Sequence, residues 1–242
     1  MFSGARRFSC LKKWGTSNDG DLGEWTAPVF EAACNPPYDR DYRASIRMMW
    51  DERCLYIGGD IRTPDPMRNM SSACGTWQFA GGSVICRLAA NGSLGWPLSD
   101  NMVYYPPMMK PGHVPDECLV SLMMLHDCVL GEARLIVHKR MRRQETLDIP
   151  SDAWRGAYRK HRDGRGYVFE YAIDWSSIEV APPKSGETRA NTWNVHFGDG
   201  DGIVCVGQIS ENVRDPIPDC YKSLRPVSYC YWPPIWGKAV FE

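Results

Sequence analysis

Between Tyr167 and Phe197 large apolar side chains alternate with small or polar ones. Tyr167, Phe169, Tyr171, Ile173 and Trp175 share one parity, and Val168, Glu170, Ala172 and Asp174 share the other. Trp193, Val195 and Phe197 alternate likewise with Thr192, Asn194 and His196. Successive side chains of a strand point to opposite faces, so a period of two predicts half-buried strands and not an amphipathic helix, whose period is about 3.6. The second run ends in Gly198-Asp199-Gly200-Asp201-Gly202, which places carboxylates on a permissive backbone.

The same alternation recurs along the chain. Ala44–Trp50 and Cys54–Ile61 flank the turn Asp51-Glu52-Arg53 and read as a β-hairpin. Ser83–Ala90, Cys118–His126, Glu132–Lys139 and Ala153–His161 read as further strands, and Ser228–Trp232 and Gly237–Phe241 as closing ones. Glu31–Arg43 and Ile203–Val227 read as loops, Asn91–Pro115 as a long excursion, and Ser176–Val180 as one helical turn. About ten strands with short turns and no long amphipathic helix predict an all-β fold. The expected class is an antiparallel β-sandwich of jelly-roll or immunoglobulin-like kind, with few short helices. Residues 1–17 are expected to be a tail or linker, and residues 18–242 one domain.

Composition narrows the function classes. At 43% hydrophobic residues the chain has material for a core, and a net charge of -1 gives no general attraction for nucleic acid or membrane. No apolar run is long enough to be expected to span a bilayer, and the basic start MFSGARRFSCLKKW lacks the apolar stretch of a signal peptide. The ten cysteines include no C-x-x-C pair, which argues against a zinc ribbon. Asn69 and Asn91 open N-x-S sequons, a pattern common by chance. The aromatic content is 10 Trp and 11 Tyr against 7 Phe. Rings with a polar edge suit a surface that meets sugar C–H faces and hydroxyl rims, and they also suit cores.

Several pieces fall in a recognisable order: DGDLGEW at 19–25, WDERCLYI at 50–57, DPM at 65–67, GYVFEYAIDW at 166–175, NVHFGDGDG at 194–202 and WGKAVF at 236–241. Together they resemble the family 9 carbohydrate-binding modules and their relatives, over roughly residues 18–242. That resemblance implies a non-catalytic, sugar-binding sandwich, an accessory module in polysaccharide degradation. It also implies an extracytoplasmic location, with other domains in a longer chain. In the family two aromatic side chains clamp a terminal sugar. The matching positions are Trp77, before the strand at Ser83, and Trp232, before the last strand, with Tyr229 or Tyr231 as substitutes. One departure is informative. Sugar-binding members carry G-D-S-V-E after the first Trp, whereas this chain has Gly81-Gly82-Ser83-Val84-Ile85 and lacks both acids.

The resemblance also implies structural calcium. Hard cations take several oxygen ligands, so Asp199 with Asp201, and Asp19 with Asp21, are the candidates. Related sandwich domains bind haem b through Met with His or Lys. The alternative here is an electron-transfer domain using Met102, Met108, Met109, Met123 or Met124 with His113 or His126. A third possibility is an interaction domain that has lost its sugar site. Glu170, Asp174, Asp199 and Asp201 are the acids a glycosidase would need in pairs. The resembling strand carries similar acids without catalysis, and no G-x-S-x-G or H-E-x-x-H motif is present, so no enzyme activity is expected. The expected ligand is a glycan, with neither nucleic acid nor membrane insertion.

Overall fold

The structure is a computed structural model, and it describes residues 7–12, 20–27, 29–33, 41–74, 80–98, 119–139, 145–198, 205–211 and 236–242. The strands are β1 (Arg7–Lys12), β2 (Phe30–Ala33), β3 (Arg43–Trp50), β4 (Cys54–Arg62), β5 (Ser83–Ala89), β6 (Leu119–Asp127) and β7 (Glu132–Lys139). They continue with β8 (Glu145–Leu147), β9 (Trp154–Lys160), β10 (Tyr167–Asp174), β11 (Thr188–Gly198), β12 (Cys205–Glu211) and β13 (Gly237–Phe241). Helix is confined, among the described residues, to α1 (Ser71–Cys74) and to 3-10 turns at Gly92–Leu94 and Trp175–Ile178. None of these helices is long and apolar enough to cross a membrane.

The fold is a β-sandwich. The first sheet runs β8-β7-β6-β5-β11, with β12 and β13 lying in line along the far edge of β11. The second runs β3-β4-β10-β9, with β2 paired to β3. These pairings are antiparallel. The exception is β1, which is parallel to both β13 and β3 and so joins the two sheets. The first 17 residues, read from sequence as a tail or linker, therefore supply this joining strand.

Two further segments differ from the sequence reading. The loop-like stretch Ile203–Val227 contains β12, and Glu31–Arg43 begins with the end of β2. Both follow from edge satisfaction, because buried backbone N–H and C=O groups need partners. β13 covers β11 only from Thr188 to Asn191, and β12 pairs the remainder from Trp193 to Gly198. Likewise β2 covers Arg43–Ile46 of β3, and β1 covers Met48–Trp50.

The core lies between the sheets. It takes Ile46, Met48, Leu55, Ile57, Phe169 and Tyr171 from one side and Val84, Cys86, Leu122, Met124, Trp193 and Phe197 from the other. This is the face the alternation predicts. The Tyr171 hydroxyl crosses between the layers, donating to the Arg134 carbonyl at 2.8 Å with the Leu125 carbonyl at 3.1 Å. Arg189 is 1% exposed with its cation beside the Trp175 and Phe241 rings, and it donates to Glu187, Ala90 and Ala181. The expectation of half-buried strands is too simple, since the outer parities of β5, β10 and β11 are also largely buried.

Candidate functional site

The loop that carries Trp77 leaves the first sheet through a closed neck. Met70 N–H donates to the Ala80 carbonyl at 2.9 Å, Gly82 N–H to the Arg68 carbonyl at 2.7 Å, and the Asn69 side chain to the Gly82 carbonyl at 3.2 Å. Gly81 has φ +135, and a Cβ there would stand 2.1 Å from the Arg68 carbonyl oxygen, so this turn requires glycine. At Gly82 a Cβ would meet nothing closer than 3.6 Å, so the backbone has room for the acid that the resembling modules carry there.

Beyond the neck, α1 is fastened by Asp127, a fully buried residue at the end of β6. Its carboxylate accepts from the Ser71 hydroxyl at 3.0 Å and from the Ser72 amide and hydroxyl at 2.9 Å each. It also accepts from its own turn, through Val129 N–H at 3.0 Å and Leu130 N–H at 3.2 Å. Burial alone would raise this carboxyl. The Ser72, Leu130 and Ser71 donors outweigh it and hold the pKa at about 2. The second candidate segment, 212–235, is held at its return point. Trp236 is fully buried with Ala89, Leu98, Leu119 and Ala190, and the Trp96 indole donates to its carbonyl at 2.9 Å.

Between these two anchors lies the outer face of the first sheet. Strand register sets Thr192, Arg87, Ser121 and His138 in one row across β11, β5, β6 and β7. The next row reads Asn194, Ile85, Met123 and Ile136. All eight are shut from solvent. Arg87 donates to the Asn194 side-chain Oδ1, and burial followed by the Arg87 charge lowers the His138 pKa to about 4. Ile85, which stands where the resembling modules place an acid, packs with Met123, Leu125 and Ile136. Sequence reasoning missed this polar row. Arg87 was its one local signal, a cation inside the apolar run SVICRLA.

Most predicted site residues lie outside the described residues: Trp77, Tyr229, Tyr231, Trp232, Asp19, Asp199 and Asp201. Asp21 is described. Its Oδ1 accepts from Gly23 N–H at 2.8 Å, and its Oδ2 faces the Arg159 guanidinium at 3.6 Å. No group of three or more His, Cys, Asp or Glu side chains suited to a metal occurs among the described residues. Of the haem candidates, Met123 lies on the outer face and Met124 in the core, and the His126 Nδ1 stands 3.1 Å from the Met67 carbonyl. The sequon residue Asn69 is fully buried and its side chain is engaged on both sides.

The two acids weighed as a catalytic pair have separate structural partners. Glu170 is fully buried and accepts from Gly20 N–H at 2.6 Å and the Trp25 indole at 2.5 Å. Asp174 accepts from the Cys54 thiol at 3.0 Å and from Arg53 at 3.4 Å. Burial, with Asp174 beside it, pushes the Cys54 thiol up to about 12, so it stays protonated and is no nucleophile at neutral pH.

No protein-family model and no curated protein matches the sequence. Solved structures do match. A family 9 carbohydrate-binding module from Caldicellulosiruptor kristjanssonii, in complex with cellotriose, is 16% identical with a TM-score of 0.56, covering 98% of this chain and 94% of its own. The glucose complex of a family 9 module from the same organism gives the same identity and score over 98% and 96%. A candidate carbohydrate-binding protein from Bacteroides uniformis is 10% identical with a TM-score of 0.56 over 99% and 100%. At such identities the likeness speaks for the fold, and the chain has the fold of the family 9 carbohydrate-binding modules.

Proposed function

We propose that this chain is a non-catalytic carbohydrate-binding domain, taking a sugar ring between Trp77 and an aromatic of the 229–232 segment. The supporting observation is the neck of the loop whose sequence carries Trp77. Its paired backbone and the Asp127 contacts hold both ends of the loop, and a stacking ring is useful only if little ordering is left to binding. The full-length likeness to modules in complex with cellotriose and glucose supports the same ligand class. An accessory role in polysaccharide degradation, outside the cytoplasm and beside other domains, is part of this reading. Calcium enters it through Asp199 with Asp201 and Asp19 with Asp21.

Ile85 in place of an acid removes an acceptor for a sugar hydroxyl, a charged hydrogen bond of about 1.5–3 kcal/mol. Affinity is therefore expected to be weak. Isothermal titration against glucose, cellobiose and xylobiose tests the proposal. Heat of binding that disappears in Trp77→Ala and Trp232→Ala, at unchanged melting temperature, is the expected result. Absence of heat with every sugar at millimolar concentrations sinks it.

A further inference from the structure

The outer face of the second sheet is covered unevenly. Across β4, β10 and β9 the register sets Gly58, Glu170 and Ala157 in one row and Tyr56, Ala172 and Arg155 in the next. The first row lies beneath Leu22 and Trp25, whose side chains come within 3 Å of where a Gly58 Cβ would be. The second row has a small residue between two large ones, which leaves a groove. The resulting cleft measures about 200 Å³, with Ala172 and Cys54 at its floor and Asp174 at its end.

The chemistry of the walls is balanced. Arg53 and Arg155 offer guanidinium donors, and Asp152 and Asp174 offer carboxylate acceptors, so the lining carries no net charge and selects for no ion. Arg53 holds Asp174 only at 3.4 Å and is exposed, which leaves it able to turn toward a ligand. The Tyr56 hydroxyl is fixed on Asp51 at 2.7 Å, so that side chain presents its ring, whereas the Trp154 ring turns to the core and stacks on Tyr171. Alternating donors and acceptors beside aromatic surface suit a ligand whose hydroxyls both donate and accept around C–H faces. At about 30 Å³ per water the cleft holds about six waters, room for one sugar ring and not for a chain.

We propose that this groove is a second binding site for a single neutral sugar ring, seated on Ala172 between Tyr56 and Arg155. It shares the ligand chemistry of the Trp77 reading and none of its residues, so the two stand or fall separately.

NMR titration with glucose reads the two sites apart. The Trp154 and Ala172 backbone amides are expected to shift saturably, and to shift equally in a Trp77→Ala/Trp232→Ala double variant. Ala172→Leu fills the groove and is expected to weaken these shifts at least tenfold. Should that variant misfold, Arg155→Ala is expected to weaken them at least threefold. Sorbitol, a polyol without a ring face, is expected to leave them unmoved. The groove proposal is overturned if Trp154 does not respond, if the response vanishes in the double variant, or if sorbitol reproduces it. It is also overturned if both groove variants respond like the wild type. If the double variant loses no binding while Ala172→Leu loses all of it, the Trp77 reading fails and the groove stands.

Discussion

Asp127 and Glu170 are both buried carboxylates that fasten a non-strand segment to a sheet, one in each layer of the sandwich. Asp127 gathers three donors from Ser71 and Ser72 and two more amides from its own turn. Among the described residues Glu170 takes one donor from each end of its segment, Gly20 N–H and the Trp25 indole, and it relies besides on Trp25 packing with Ala27 and Met49. The first attachment is mainly polar and redundant. The second combines two hydrogen bonds with an apolar lid. A fastening made from hydrogen bonds needs no buried ring, whereas the lid over Glu170 depends on one.

The comparison is tested most severely by Asp127→Ala. It leaves several buried donors unpaired, a change expected to cost about 3–5 kcal/mol, the range for breaking a buried ionic group. Urea unfolding reads this, and a loss below about 1 kcal/mol would mean the network is not a fastening. Glu170→Gln should cost less, about 2 kcal/mol, because its amide NH2 must face either Gly20 N–H or the Trp25 indole. Trp25→Phe keeps the lid and removes one donor, and is expected to lose about 1 kcal/mol. If Glu170→Gln proves costlier than Asp127→Ala, the assignment of redundancy is reversed.

How far the sequence foretold these regions depends on the range of the interaction. β3, β4, β5, β10 and β11 were legible because alternation is local and the sheet faces enforce it. β1, β2 and β12 were not, because they owe their form to the backbone groups that β3, β11 and β13 would otherwise leave bare. Glu170 was placed by parity on the face away from the core, which is correct. Its burial comes from a segment 145–150 residues away in sequence, for which no local pattern exists. The turn after Asp127 falls between the two strands read at Cys118–His126 and Glu132–Lys139, whereas the Ser71 and Ser72 contacts 55–56 residues upstream left no local pattern. The aromatic positions Trp77 and Trp232 came from family order alone, and they lie outside the described residues.

Acid titration gives the finest version of the comparison, because two groups associated with the first sheet lose stability in separate windows. Asp127 titrates at about 2 in the fold against an ordinary 3.8. Its contribution is present above 3.8 and is lost as pH falls through about 2. His138 is held neutral, at about 4 against 6.5, by burial and by the Arg87 charge. Between those values the unfolded chain binds the proton first, so stability declines as pH falls from 6.5 to about 4 and levels below. Unfolding midpoints measured from neutral pH downward are expected to show both declines in the wild type. His138→Gln should remove the upper decline and Asp127→Asn the lower one, the upper being the larger because the fall from 6.5 to about 4 is wider than that from 3.8 to about 2. An upper decline that persists in His138→Gln would assign that proton to another group and leave the buried row of the first sheet without a titrating member.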